Sequence, residues 1–112
     1  MLDDQLIALD QRHVWHPYAS MDKPPPAYAI AGANGVWLQL RDGRQLLDGM
    51  SSWWCTIHGY NHPQLNAALQ QQMYAMSHVM LGGLTHEPAV QLATRLASIT
   101  PDGLDKVFFS DS

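Results

Sequence analysis

The residues of this 112-residue chain that could do chemistry are six histidines, one cysteine, a tryptophan pair and several loop tyrosines. His58 and His62 are four apart, the spacing of two ligands on one helix. Gly59 lies between them and Pro63 follows, which disfavours a helix there. His13 and His16 are three apart, and Pro17 breaks that frame. No cluster of Cys, Asp or Glu completes a ligand set, so no metal site is expected, and the histidines read as hydrogen-bonding loop residues. Cys55 would serve as a nucleophile only beside a base and an orienting group. None is local, so it reads as a small buried filler. As the only cysteine it has no intrachain disulfide partner.

The stretch MSSWWCTIHGYNHP, residues 50–63, raises a sharper question. On a strand, Trp53 and Trp54 would face opposite sides; in an irregular segment both could line one cleft. Taken alone, the pair reads first as core packing and second as a binding wall. Tyr18 in HPY and Tyr60 in HGYNHP add amphipathic aromatics in loop contexts, a composition typical of small-molecule sites. Met73, Met76 and Met80 read as core or interface filler. Asp48, Asp102 and Asp111 read as turn or cap residues.

The elements that must position these side chains follow from local pattern. Leu6, Ile7 and Leu9 behind Asp3 and Asp4 suggest a short N-terminal helix over 3–15. Pro17 and the Pro24-Pro25-Pro26 run make the next segment an extended arm. From Gly35, Val36, Leu38 and Leu40 alternate with Trp37, Gln39 and Arg41, and Asp42-Gly43 signals a turn, so a β-hairpin is predicted over 35–48. Pro63 opens a helix that runs to about Ser77 with Leu65, Leu69, Met73 and Met76 in register. Gly82-Gly83 marks a loop. A second helix begins near residues 85–88 and carries Leu92, Leu96 and Ile99. Asp105-Lys106-Val107-Phe108-Phe109 reads as a buried strand.

Composition narrows the function classes. Charged residues make up only 14% of the chain, against roughly 25% in ordinary domains, so part of the surface is expected to be covered by further chain or a partner. The net charge of −4 and the scatter of Arg12, Lys23, Arg41, Arg44, Arg95 and Lys106 argue against nucleic acid. Acids stand where a signal peptide would carry Lys or Arg, and the apolar run at 6–9 is too short to span a bilayer. A cytoplasmic protein without membrane contact is expected. A strand running into Ser110-Asp111-Ser112 is where an α/β unit hands over to a ligand-binding turn, so the chain reads as a piece of a longer one.

The order DGR-x-LLDG, HGYNHP-x-LNAAL, SHVMLGGLTHEPAVQLATRL and VFFSDS resembles the N-terminal part of the class III (omega) aminotransferases. The likeness runs from about Leu9 to Ser112. HGYNHP identifies only the family. RHVWHPYASM and DGMSSWWCTIHGYNHPQLN are more specific, and resemble the branch that passes the amino group of S-adenosylmethionine to 8-amino-7-oxononanoate in biotin biosynthesis, giving 7,8-diaminononanoate in two half-reactions. The resemblance implies pyridoxal 5'-phosphate as cofactor and an obligate homodimer with sites at its interface. It implies the α/β fold type I of pyridoxal-phosphate transferases, N-terminal portion only. Residues 1–60 would be the arm and hairpin of the small domain, and 61–112 the start of the large cofactor-binding domain.

The same resemblance implies roles for particular residues. Pro17 and Tyr18 match the HPY that recognises the keto-acid substrate. Trp53 and Trp54 match a tryptophan pair lining the substrate cleft, with Trp53 the direct contact. Met80 and Gly82 match a loop reaching the neighbouring subunit's site. Ser112 matches the serine just before the backbone amides that hold the cofactor phosphate at a helix N-terminus. The family's covalent cofactor lysine has no counterpart here: neither Lys23 nor Lys106 stands in its context, so no catalytic residue is expected in these 112 and the chain alone is expected to be inactive. Two other readings stand beside this one: another omega-aminotransferase acting on ornithine, 4-aminobutyrate or a related amine, and a non-catalytic aromatic-lined binding module.

Overall fold

The computed structural model describes residues 3–110. Their contacts divide the chain into two units, Met1–Leu69 and Gln70–Ser112. The first opens with α1 (Asp3–His13), whose last turn carries the basic residues Arg12 and His13, with the Arg12 cation placed where the helix dipole is negative. Leu6 and Ile7 are its half-buried apolar residues, and Asp10 is half-buried as well. After it the chain turns at Pro17. The Ala19 N–H reaches the His16 carbonyl at 3.2 Å, and His16 Nε2 meets the Asp10 carboxylate at 2.8 Å, tying the arm back to the helix that precedes it.

The predicted hairpin is present as β2 (Trp37–Leu40) and β3 (Gln45–Leu47), paired antiparallel with Leu38 opposite Leu46. Its turn closes through a bond from the Gly43 N–H to the Leu40 carbonyl at 3.1 Å, with Gly43 at φ +91°. The Asp42 carboxylate accepts from the Arg44 backbone at 3.0 Å and from its Nε at 2.8 Å. That side-chain bond from Arg44 is the main reason Asp42 stays below the usual carboxylate range. The structure adds a third strand, β1 (Ile30–Asn34), which pairs antiparallel with β2 in the order β1-β2-β3. Its sequence, IAGAN, has little β propensity, and its conformation comes from the ladder offered by β2. Gly35 opens the two-residue link to β2 at φ +56°, the conformation a tight hairpin demands there. Leu40, 2% exposed, is the one buried apolar residue among those described.

The HGYN segment staples the chain back onto this sheet. Tyr60 and Gly35 exchange two backbone bonds, at 2.7 and 3.0 Å. Gly59, at φ +77°, lies so close that a Cβ there would sit 2.9 Å from the Gly35 carbonyl oxygen. Asn61, at φ +54°, donates from Nδ2 to the Ala33 carbonyl at 2.6 Å. Asn tolerates this left-handed conformation better than most residues. Pro63 then begins α3 (Pro63–Ala75), as its fixed φ and missing N–H favour.

In the second unit, α4 (Glu87–Ile99) starts as predicted, with Pro in its first turn and Glu87 at the positive end of its dipole. The predicted strand at 105–109 is not formed: residues 104–110 are irregular, and Phe108 is 91% exposed. A strand exists only as part of a ladder, and no described segment pairs with this one. No helix among the described residues is long and apolar enough to cross a membrane.

The accessible surface is 9980 Å². Two separate compact bodies of these sizes would expose roughly 7,400 Å² together. Neither unit closes a core around its apolar faces, and Leu65, Leu69 and Met73 of α3 and Leu92 and Ile99 of α4 all stand exposed. Local geometry is nevertheless specific, and the Gly59 approach tests it. Gly59→Ala adds a left-handed penalty and a clash with backbone, and is expected to destabilise the protein by about 1–3 kcal/mol. An unchanged midpoint in chemical denaturation would contradict the close approach.

Candidate functional site

Between β3 and Tyr60 the backbone does something unusual. Ser51, Ser52, Trp53 and Trp54 all have positive φ, from +44° to +69°. The single turn they form, α2 (Ser51–Trp54), is therefore left-handed, with Ser52 and Trp53 at ψ +54° and +53°. For L-residues this costs about 1–2 kcal/mol each. Two bonds of the turn are long, Trp54 N–H to the Met50 carbonyl and Cys55 N–H to the Ser52 carbonyl, both 3.4 Å, and the Thr56 N–H reaches the Ser51 carbonyl at 3.1 Å.

The Asp48 carboxylate gathers three more donors, two of them at shorter distances. Its Oδ1 accepts from the Met50 N–H at 3.1 Å, and its Oδ2 accepts from the Ser52 N–H at 2.8 Å and from the Tyr60 hydroxyl at 2.5 Å. The Tyr60 hydroxyl proton being committed to Asp48, the Ser52 hydroxyl donates to the Tyr60 oxygen. The Asp48 N–H donates to the Val36 carbonyl at 2.8 Å, so the aspartate is anchored beside the sheet. The Tyr60 hydroxyl, foremost among these donors, holds the Asp48 carboxyl below its usual range, opposed by partial desolvation. The expected turn-or-cap role of Asp48 is thus observed, with a reach beyond its own turn.

The turn carries the tryptophans outward. Trp53 is 52% exposed and Trp54 82% exposed, so the core-packing reading of the pair fails: the left-handed turn leaves no apolar layer above them. Cys55 is likewise exposed rather than a buried filler, because it follows directly from that turn, and its thiol points to the Trp53 carbonyl at 3.7 Å. Tyr18 meets Trp53 edge-to-face, with ring centroids 5.8 Å apart and planes at 68°. Such pairs add stability beyond the area they bury. Tyr18 sits at φ +57° directly after Pro17, in the bend closed by Ala19 and His16, so a second aromatic is presented from a strained position. Strain of this kind, held by its surroundings, clusters at functional sites.

The structure therefore brings Pro17, Tyr18, Trp53 and Trp54 into one unit, with Tyr18 and Trp53 in contact. Met80 and Gly82 lie in the loop between α3 and α4, in the second unit, with Met80 exposed. Ser112 and Asp111 lie outside the described residues. Asp48, Ser52 and Tyr60 complete the site as supports. The signal for them was present in the DG-x-SS and HGY order, but an aspartate twelve residues from a tyrosine has no readable spacing. Among the described residues no group of His, Cys, Asp or Glu is arranged to hold a metal ion. The His58 and His62 rings meet edge-to-face at 6.0 Å.

Comparison with known proteins places this geometry in a family. The model of the family Aminotransferase class-III matches residues 18–112. The chain is 56% identical over 103 residues to adenosylmethionine-8-amino-7-oxononanoate aminotransferase of Buchnera aphidicola (subsp. Acyrthosiphon pisum), covering 92% of this chain and 24% of that protein. It is 54% identical to the protein of the same name from Mycobacterium leprae, covering 97% of this chain and 26% of the relative. Among solved structures, the enzyme of that name from Methanocaldococcus jannaschii superposes with a TM-score of 0.82 at 29% identity, over 89% of this chain and 23% of that one. The chain spans about a quarter of the length of the curated relatives it matches. With that family model covering most of the chain and relatives of that family more than half identical to it, the chain belongs to the class-III aminotransferases.

Proposed function

We propose that these residues form the substrate wall of an aminotransferase that moves the amino group of S-adenosylmethionine to 8-amino-7-oxononanoate, producing 7,8-diaminononanoate. The observation that carries this reading is the exposed pairing of Tyr18 and Trp53, each presented from a positive-φ backbone. It is supported by the names of the relatives that share this stretch. The acceptor is a long aliphatic keto acid, which suits a flat apolar wall. The donor carries adenine, which an indole can stack. Pro17 sets the bend that holds Tyr18, Trp53 makes the direct contact, and Trp54 extends the wall.

Residues 1–60 belong to the small domain and 61–112 to the large one. Met80 and Gly82 serve the neighbouring subunit's site in a homodimer, and Ser112 stands next to the cofactor's phosphate. Class-III aminotransferases use pyridoxal 5'-phosphate, which supplies the amino-carrying chemistry when bound. The described residues do not by themselves fit that group. Lys23 and Lys106 are both exposed on irregular backbone, and neither lies beside the aromatic pair in sequence.

Each indole removed from water contributes about 1–3 kcal/mol of binding. In a full-length aminotransferase carrying these 112 residues at its N-terminus, Trp53→Ala should lower kcat/KM for the keto acid about 10- to 100-fold. An unchanged value would sink the wall assignment. The 112-residue chain alone, supplied with pyridoxal 5'-phosphate, should show no amino transfer from S-adenosylmethionine. Turnover by the isolated chain would contradict the absence of a cofactor anchor from it.

A further inference from the structure

We propose that Asp48 is a positioning residue for the acceptor, acting with Tyr60 to hold α2 in the left-handed form that presents Trp53 to Tyr18. The proposal rests on the reading of Trp53 as a wall of the acceptor cleft. Neither Asp48 nor Tyr60 is placed against substrate; both act through the turn.

Three observations carry it. First, four consecutive residues of α2 stand at positive φ, yet none is glycine, so the turn is not the local preference of its own sequence. Second, the turn's own backbone bonds run from 3.1 to 3.4 Å, while the bonds that the Asp48 carboxylate accepts from the Ser52 N–H and the Tyr60 hydroxyl are shorter, at 2.8 and 2.5 Å, and charge-assisted. Third, both ends of the clamp are fixed elsewhere. The Asp48 N–H is bonded to Val36, and the Tyr60 backbone exchanges two bonds with Gly35, its neighbour in sequence. The carboxylate thus connects an aromatic wall to the tight link between β1 and β2. The Ser52 backbone amide, one residue before Trp53, is the atom through which the clamp acts. Rotation of that peptide out of the left-handed basin would swing the indole away from Tyr18.

The test uses a full-length class-III aminotransferase carrying these 112 residues as its N-terminal segment, with Asp48→Asn and Tyr60→Phe made singly and on top of Trp53→Ala. Each single variant should raise KM for 8-amino-7-oxononanoate about fivefold or more while kcat changes less than about twofold. On the Trp53→Ala background neither should add more than about twofold, because a residue that acts through Trp53 has nothing left to position. Tyr60→Phe keeps the ring and both backbone bonds to Gly35, so it decides the matter if Asp48→Asn does not fold. Wild-type acceptor KM in Tyr60→Phe, or a full effect that persists without Trp53, overturns the positioning role. If Trp53→Ala itself leaves acceptor use unchanged, the wall reading fails first and this proposal with it, an outcome distinct from the other two.

Discussion

The carboxylate of Asp48 is the point at which the first unit's irregular chain becomes ordered. It gathers the Met50 and Ser52 N–H groups and the Tyr60 hydroxyl, while its own N–H is bonded to Val36. The eleven residues between Asp48 and Tyr60 contain no regular element longer than one turn. Closing such a loop costs chain entropy, and that cost must be offset by contacts at its ends. Here the ends meet twice: side chain to side chain at Asp48 and Tyr60, and backbone to backbone at Gly35 and Tyr60. Everything between is held by what those two junctions impose, including four residues in a conformation they do not prefer.

Two adjacent motifs divide the work. In HGYN, each residue after the histidine has a backbone task. Gly59 permits the close approach, Tyr60 makes the bridge, and Asn61 takes the left-handed position and reaches Ala33. These tasks concern the fold. SSWW has no such task. Its serines supply the amide and hydroxyl that the clamp engages, and its indoles are left facing outward.

The low charge fraction and the exposed apolar faces describe one condition. α3 and α4 start at the prolines their sequences supply, yet the side chains that would ordinarily build a core remain in water. Helices of about a dozen residues gain most of their stability from burying such a face, so these faces are the surfaces with most to gain from being covered. The irregular course of residues 104–110 has the same origin: Val107, Phe108 and Phe109 are strand-forming residues without a neighbouring ladder.

What could be read from the sequence was whatever depends on neighbours along the chain. Pro63 and Pro88 placed two helix starts, Asp42-Gly43 placed the hairpin turn, and the HGYNHP and SSWW stretches placed the chain in its family. β1 was not legible, because Ala and Gly become strand only when β2 offers a ladder. Nor was the fate of the tryptophans: local pattern favoured a core, while the structure turns them out on a left-handed turn. That choice belongs to tertiary structure. A left-handed turn without glycine is unfavourable on local terms, and it stands only where a carboxylate and a tyrosine distant in sequence converge to hold it. Sequence determined which aromatics stand in the turn; long-range hydrogen bonds decided that they face outward.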